Sequence, residues 1–209
     1  MQIGKAGIPV SHISQAYPDR VEVRGRDLTG DLMGRLSFTE YFHLLLTGRE
    51  PTEDQRYFLD LLLVAIAEHG MMPTNVAARM TLAADPGSLQ GAVAAGILGC
   101  GPVILGTSEA CARLLADARR ASGPHVLLAR HLRESAAAAW GKPLTMNVAM
   151  PIAAVLLDLG FPSTAVKAVP ILARTAGLLA HLAEEREEPL GLHMAWSAEE
   201  SVAYEEPRE

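Results

Sequence analysis

The sequence predicts an all-α fold, and three observations carry that prediction. Apolar residues recur at helical spacing along most of the 209 residues, and capping signatures open two of those segments. Aromatic residues make up only 5% while Ala and Leu run in blocks, a composition that favours helices over sheets. Strand signals are confined to "RVEVRG" at residues 20–25. The length suits one ordinary domain with a sizeable core, so residues 1–209 are read as a single helical domain with residues 186–209 as a C-terminal arm.

The elements follow in order. Ser37 with Glu40 makes a capping box at the head of "SFTEYFHLLLTG", where Phe38, Tyr41, Phe42 and Leu45 share a face before Gly48 ends the helix. Thr52 with Gln55 repeats the device, opening a helix from about Glu53 that carries Phe58, Leu61, Leu62, Ala65 and Ile66 as far as His69-Gly70. Further helices fit "TNVAARMTLAA", before the Asp85-Pro86-Gly87 turn, and "SLQGAVAAGILG", broken by Gly101-Pro102. In the latter, Gly91, Ala95 and Gly99 stand four apart, a stripe poor in side chains where a second helix can approach closely.

"SEACARLLADARRA" continues helical to Gly123, "HVLLARHLRESAAAAW" runs to Gly141, and "LTMNVAMPIAAVLLDLG" follows. The last helix, "STAVKAVPILARTAGLLAHLAEE", should kink near its start at Pro170. The acidic tail beyond it reads as an irregular surface arm, with Trp196 and Tyr204 available to anchor it on a neighbour.

Several function classes are excluded. A formal charge of −6 offers no basic field, so no nucleic-acid partner is expected. Cys100 and Cys111 lack CxxC spacing and indicate neither a zinc site nor a disulfide framework. The N-terminal "MQIGKAGIPVSHISQAYPDR" lacks the apolar core of an export signal, which leaves the reducing cytoplasm as the expected compartment. The charge-free stretch 87–108 is long enough to raise a membrane span, but its Gly/Ala content and Pro102 argue for a packed helix and loop, and no membrane contact is expected. Metal-ligand clusters, phosphate-cradling loops and nucleophile elbows are missing, so no metal and no bound cofactor are predicted.

Among the seven histidines, His43, His125, His131 and His181 lie inside helical patterns without a spaced partner and are read as packing or surface residues. His69 ends an apolar helix directly before Gly70, in "AEHGMMPTN". It is either a histidine favoured by the negative end of the helix dipole or a hydrogen-bond donor to a ligand carbonyl.

"RVEVRGRDLTGDLMGRLSFTEYFHLLLTGREPT" resembles the N-terminal signature of the citrate synthase family, particularly its short citryl-CoA lyase-like branch. The order holds downstream. "AEHGMMPTN" is similar to the first catalytic-histidine turn, "GILGCGPVILGTSEA" to the second, "LTMNVA" to the Asn-Val-Asp segment, and "ILARTAGLLAHLAEE" to the helix with a substrate-binding arginine.

The resemblance implies a large helical domain, a dimer, and Claisen or retro-Claisen chemistry on a coenzyme A thioester and a small keto acid. In that chemistry an aspartate moves the alpha proton, one histidine stabilises the enolate and another serves the keto-acid carbonyl. It assigns His69 to the enolate, Arg174 to a substrate carboxylate through its bidentate fork, and Asn147 to substrate binding. The second histidine falls on Ile104 and the aspartate on Ala149, neither of which can carry a proton. Losing one such group forfeits a factor of about 10² to 10⁴. Glu68 and Glu109 are the acidic residues near enough in sequence to be weighed as a substitute base.

Residues 124–143 stand in place of the family's small domain, so that domain is expected to be reduced or absent. His193 stands where relatives carry an arginine that reaches the partner's site, which makes anion binding there weaker or pH-dependent. Three readings follow. The chain is an acyl-CoA lyase or acyltransferase with a substitute base; or a non-catalytic or regulatory subunit pairing with a complete paralogue; or a module binding a carboxylate or CoA ester. Its assembly is a homodimer or such a heteromer. Arg174 paired to an internal carboxylate is the alternative to its binding role.

Overall fold

The computed structural model describes residues 9–118 and 123–207. Contacts within the chain divide it into two compact units, Met1–Asp60 and Leu61–Glu209, with the division inside helix α2 (Glu53–Ala67).

The first unit opens with a small antiparallel meander of β1 (Ser14–Ala16), β2 (Val21–Val23) and β3 (Arg26–Asp27). "RVEVRG" supplies β2 and the turn after it. Arg24 and Gly25 both take positive φ, 52° and 78°, as a two-residue hairpin that follows the twist of its strands requires. Asp27 then caps a single π-type turn at Leu28–Leu32, accepting from the N–H groups of Thr29 and Gly30 at 2.9 and 2.7 Å. Helix α1 (Phe38–Thr47) begins with the Ser37/Glu40 capping box and ends at Gly48 in the left-handed conformation.

Val23, Leu32 and Leu44 form this unit's core, with Tyr41 and Leu45 packed against it. Phe38, expected on the same face, is 67% exposed and borders an open pocket with Leu32, Leu36 and Tyr41. The Thr52/Gln55 box at the head of α2 is reciprocal, with bonds of 2.9 and 3.2 Å.

In the second unit, α3 (Pro73–Ala84), α4 (Leu89–Leu98) and α8 (Ala168–Glu187) pack together around Ala78, Leu82, Ala92, Leu178 and Leu182. The close approach on α4 is one position away from the expected Gly91/Ala95/Gly99 stripe. Ala92 and Gly96 are the buried pair, and a Cβ on Gly96 would stand 2.8 Å from the Leu178 methyls and 3.0 Å from the Thr74 carbonyl oxygen. Of the expected stripe, Gly91 faces the Ser88 side chain of its own turn, while Gly99 also approaches α3, where a Cβ on it would stand 3.2 Å from Thr74 Cγ2. The tightest approach is on α8, where a methyl on Gly177 would fall inside contact distance of the Ala67 carbonyl oxygen. Backbone is the obstacle, so Gly177→Ala is expected to destabilise the unit by about 1–3 kcal/mol in a denaturant titration; an unchanged midpoint would mean that α8 does not approach there.

Helices α5 (Gly106–Ala118), α6 (His125–Trp140) and α7 (Ala149–Asp158) form the neighbouring group. The expected continuation of α5 through residues 119–122 lies outside the described residues, as do the first eight residues of the N-terminal segment. Residues 124–143 hold one helix, α6, whose N-cap is Pro124, a residue with no side chain able to cap. Asp158, at the end of α7, supplies the cap from a distance. It accepts from the N–H groups of His125 and Val126 at 2.7 and 3.0 Å and pairs with the His125 ring at 2.7 Å. His125 is therefore partnered, through a residue that sequence spacing could not connect to it.

Burial alone would push the Asp158 carboxyl up, but the His125 and Val126 N–H groups and the His125 ring outweigh it, and the net shift is downward. A folded pKa below the unfolded one contributes stability at neutral pH that disappears as pH falls through the folded value. Asp158→Asn is expected to lower stability by about 0.5–2 kcal/mol at pH 7 and to flatten the acid limb of the stability profile; an acid limb as steep as in the parent chain would assign it to other groups.

Two expectations at the C-terminal end are corrected. Pro170 does not kink a helix: a short 3₁₀ turn at Ser163–Ala165 comes first, and α8 starts at Ala168, so Pro170 occupies the first turn where no N–H acceptor is needed. The tail is not irregular throughout, because residues 191–200 form α9 (Gly191–Glu200), packed on α3. Its start is held by Glu185, whose carboxylate accepts from the N–H groups of Leu190 and Gly191 at 2.9 and 2.7 Å.

The stretch 87–108 is divided between α4, a loop and the start of α5. Residues 163–187 are long and apolar enough to pass a membrane-span criterion, but α8 buries Val169, Ala173, Leu178 and Leu182 together with Arg174 and Glu185, as a core helix does.

Candidate binding pocket

The end of α2 is a locked turn. One oxygen of Glu68, Oε1, accepts from the N–H groups of His69 and Gly70 at 2.7 and 2.6 Å, from Asn75 Nδ2 at 3.3 Å, and from His181 Nε2 at 3.1 Å. Gly70 takes φ 69°, and its carbonyl accepts from Asn75 Nδ2 as well. The chain reverses at that point, which leaves His69 exposed at a fixed place on the rim of a cavity of about 290 Å³.

Three further elements close the cavity. The loop before α5 contributes Ile104, with Thr107 from the helix's first turn; the start of α7 contributes Asn147 and Ala149; and α8 contributes Arg174. Asn147, one residue before the α7 N-cap Val148, accepts at Oδ1 from the Ala149 N–H at 2.9 Å, so the amide NH₂ is what it has left to offer a ligand. Ala149 is 5% exposed, and its methyl forms part of the wall.

Arg174 is the most informative group. It is 4% exposed, and its Nε and Nη1 have no hydrogen-bond partner among the described residues. The internal carboxylate weighed as its alternative partner is not among the ion pairs of the described residues. A guanidinium stays charged at any physiological pH, and a buried donor without an acceptor costs about 1–3 kcal/mol. Such a group asks for an anion.

Sequence reading thus placed five positions, His69, Ile104, Asn147, Ala149 and Arg174, that the structure brings to one cavity. His193 is elsewhere. It lies on α9, exposed, with its ring centroid 5.7 Å from that of Trp196. Glu109 binds Arg113 one turn along α5 and does not line the cavity.

Glu68 does line the cavity, yet it is engaged as an anchor. Burial would raise its pKa, but the His181 ring and the His69 and Gly70 N–H groups outweigh that, leaving a net downward shift and a weaker base. Its other oxygen faces Gly177, since a Cβ there would stand 2.9 Å from Oε2.

His181, read as a packing residue, is a link. Its Nδ1 faces Arg79 Nε at 3.2 Å and must accept, because a guanidinium cannot, so Nε2 carries the proton given to Glu68. Arg79, fully buried, also binds Glu185 at 2.8 Å and pairs with Glu184. A charged residue on the apolar face of α3, between Ala78 and Leu82, was the available signal for that pair.

The all-α frame, the ordered motifs and this cavity define a class, and the chain belongs to the citrate synthase family. Residues 13–135 match the family model described as "Citrate synthase, C-terminal domain". Among solved structures, citryl-CoA lyase from Hydrogenobacter thermophilus superposes with a TM-score of 0.87 at 27% identity, covering 97% of both chains. An ATP citrate lyase mutant from Methanosaeta concilii, in complex with (3S)-citryl-CoA, gives 0.76 at 18% identity, covering 99% of this chain and 43% of that one. The ATP citrate lyase from Methanothrix soehngenii, in complex with citrate and coenzyme A, gives 0.75 at 20% identity with the same coverage. No curated protein sequence matches. The chain has the short citryl-CoA lyase-like form of the family fold.

Proposed function

We propose that this citryl-CoA lyase-like protein binds a carboxylate ligand, free or carried on a coenzyme A ester, without the proton transfers of ordinary family chemistry. One observation carries the reading: the buried Arg174 guanidinium, unpaired among the described residues, lies in the cavity with His69 and Asn147. A carboxylate would satisfy its fork, with His69 and the Asn147 amide as further donors.

The case against turnover rests on Ile104 and Ala149, which present hydrocarbon where the family's second histidine and aspartate are expected, and on Glu68, whose carboxylate holds the His69 turn. No metal or bound cofactor enters this reading, and the cytoplasm remains its expected setting.

The test is calorimetric titration of the purified chain with citrate, oxaloacetate and short monocarboxylates, repeated with Arg174→Met. Binding of at least one carboxylate that disappears in the variant supports the reading. No binding, or binding unaffected by the substitution, overturns it.

A second reading, a subunit that pairs with a complete paralogue, is favoured by α9. His193, Leu192 and Trp196 are exposed on it, the last two at 73% and 60%, and none of them lines this chain's own cavity. Co-expression with a complete relative should give a mixed oligomer; self-association alone, as a homodimer, would count against it.

A further inference from the structure

The same cavity limits what can accompany the carboxylate. Resting on the binding role of Arg174 proposed above, we infer that the ligand is a monoanion with an apolar body, a short aliphatic or branched carboxylate, in place of a di- or tricarboxylate. Among the described residues that line the cavity, Arg174 is the one arginine or lysine. Most of the wall is hydrocarbon, and Ile66, Met72, Ile104, Leu105 and Ile152 supply much of it. The neutral donors are few. They are the Thr107 hydroxyl, the Asn147 amide NH₂ and the His69 ring, since Ser108 gives its hydroxyl to the Leu105 carbonyl at 2.7 Å.

The one acidic group on the wall, Glu68, has its pKa lowered and is ionised at neutral pH, so it repels any carboxylate beyond the one Arg174 takes. A second carboxylate would therefore enter a largely apolar space where the described residues of this chain offer no permanent cation to meet it, whereas a methylene chain would replace water on hydrocarbon. Ile104 and Ala149 then acquire a role: the side chains that remove proton transfer also complete the apolar wall.

A chain-length series reads this directly. Acetate, butyrate and hexanoate, titrated against the purified chain by ligand-observed NMR, are expected to bind about fourfold tighter per added methylene until the cavity is filled. Adipate, hexanoate with a second carboxylate at the far end, is expected to bind about tenfold or more weakly than hexanoate. Hexanamide, of the same shape without the charge, should compete poorly. Arg174→Met should lose hexanoate binding.

Adipate or citrate binding as tightly as hexanoate, or a flat series, would overturn the inference and leave the carboxylate reading standing, provided binding still needs Arg174. Hexanoate binding that survives Arg174→Met would overturn both.

Discussion

Arg79→Ala is expected to cost the helical unit about 3–5 kcal/mol, a large part of the stability of an ordinary domain. The guanidinium is fully buried, and removing it does more than delete contacts. Glu185 is left 2% exposed at its side chain, without its cation, while still committed to the N–H groups of Leu190 and Gly191. His181 loses the donor that fixes its tautomer, and through it Glu68 and the His69 turn lose a support. The expected readout is a large drop in the denaturation midpoint together with hydrogen-exchange deprotection of α9. A loss under about 1 kcal/mol would mean that the pair is not closed in solution.

The acid response follows from the same groups. Burial would raise Glu185, but the Gly191 N–H, the Arg79 guanidinium and the Leu190 N–H more than reverse that, so its pKa is lowered. Its stabilising contribution is present at neutral pH and disappears as pH falls through the folded value.

Arg174→Met should move stability the other way. It replaces a buried charge whose Nε and Nη1 find no acceptor among the described residues with an unbranched apolar side chain of similar reach. Relief of the unsatisfied donors is expected to stabilise the ligand-free chain by about 1–3 kcal/mol while abolishing carboxylate binding. Two buried arginines of one unit are thus expected to respond oppositely, because one has its anion inside the fold and the other has none among the described residues. Destabilisation by Arg174→Met would indicate an internal partner and return the residue to a structural role.

Much of the fold could be read from local chemistry. Ser37 with Glu40, Thr52 with Gln55, and Gly48 and Gly141 as left-handed helix ends act within a few residues, and they position α1, α2 and α6. What escaped acts at long range. Asp158 capping α6, Arg79 meeting Glu185, and Gly177 under the Ala67 carbonyl each join residues far apart in the chain. The effect of Pro170 depends on where the helix begins, which the 3₁₀ turn at Ser163–Ala165 decides and spacing along the chain does not reveal.

The cavity was legible through resemblance and not through spacing. No periodicity links His69, Asn147 and Arg174, and the family model ends at residue 135, before two of them. Their meeting on one wall depends on the placement of α7 and α8. The structural match also refines what shortness means: the Hydrogenobacter thermophilus citryl-CoA lyase corresponds over 97% of both chains, so the single helix at residues 124–143 is not by itself a mark of lost function. Ile104, Ala149 and the engaged Glu68 are the residues that speak against proton transfer.

The direct measurement is an assay of the purified chain and of His69→Ala, side by side, for citryl-CoA cleavage and for condensation of acetyl-CoA with oxaloacetate. On the proposed reading, the parent chain should give no product above the variant in either direction. Robust turnover by the parent chain that vanishes in His69→Ala would contradict the account, and would make Glu68, the one carboxylate among the described residues of the cavity wall, the base in addition to its hold on the His69 turn.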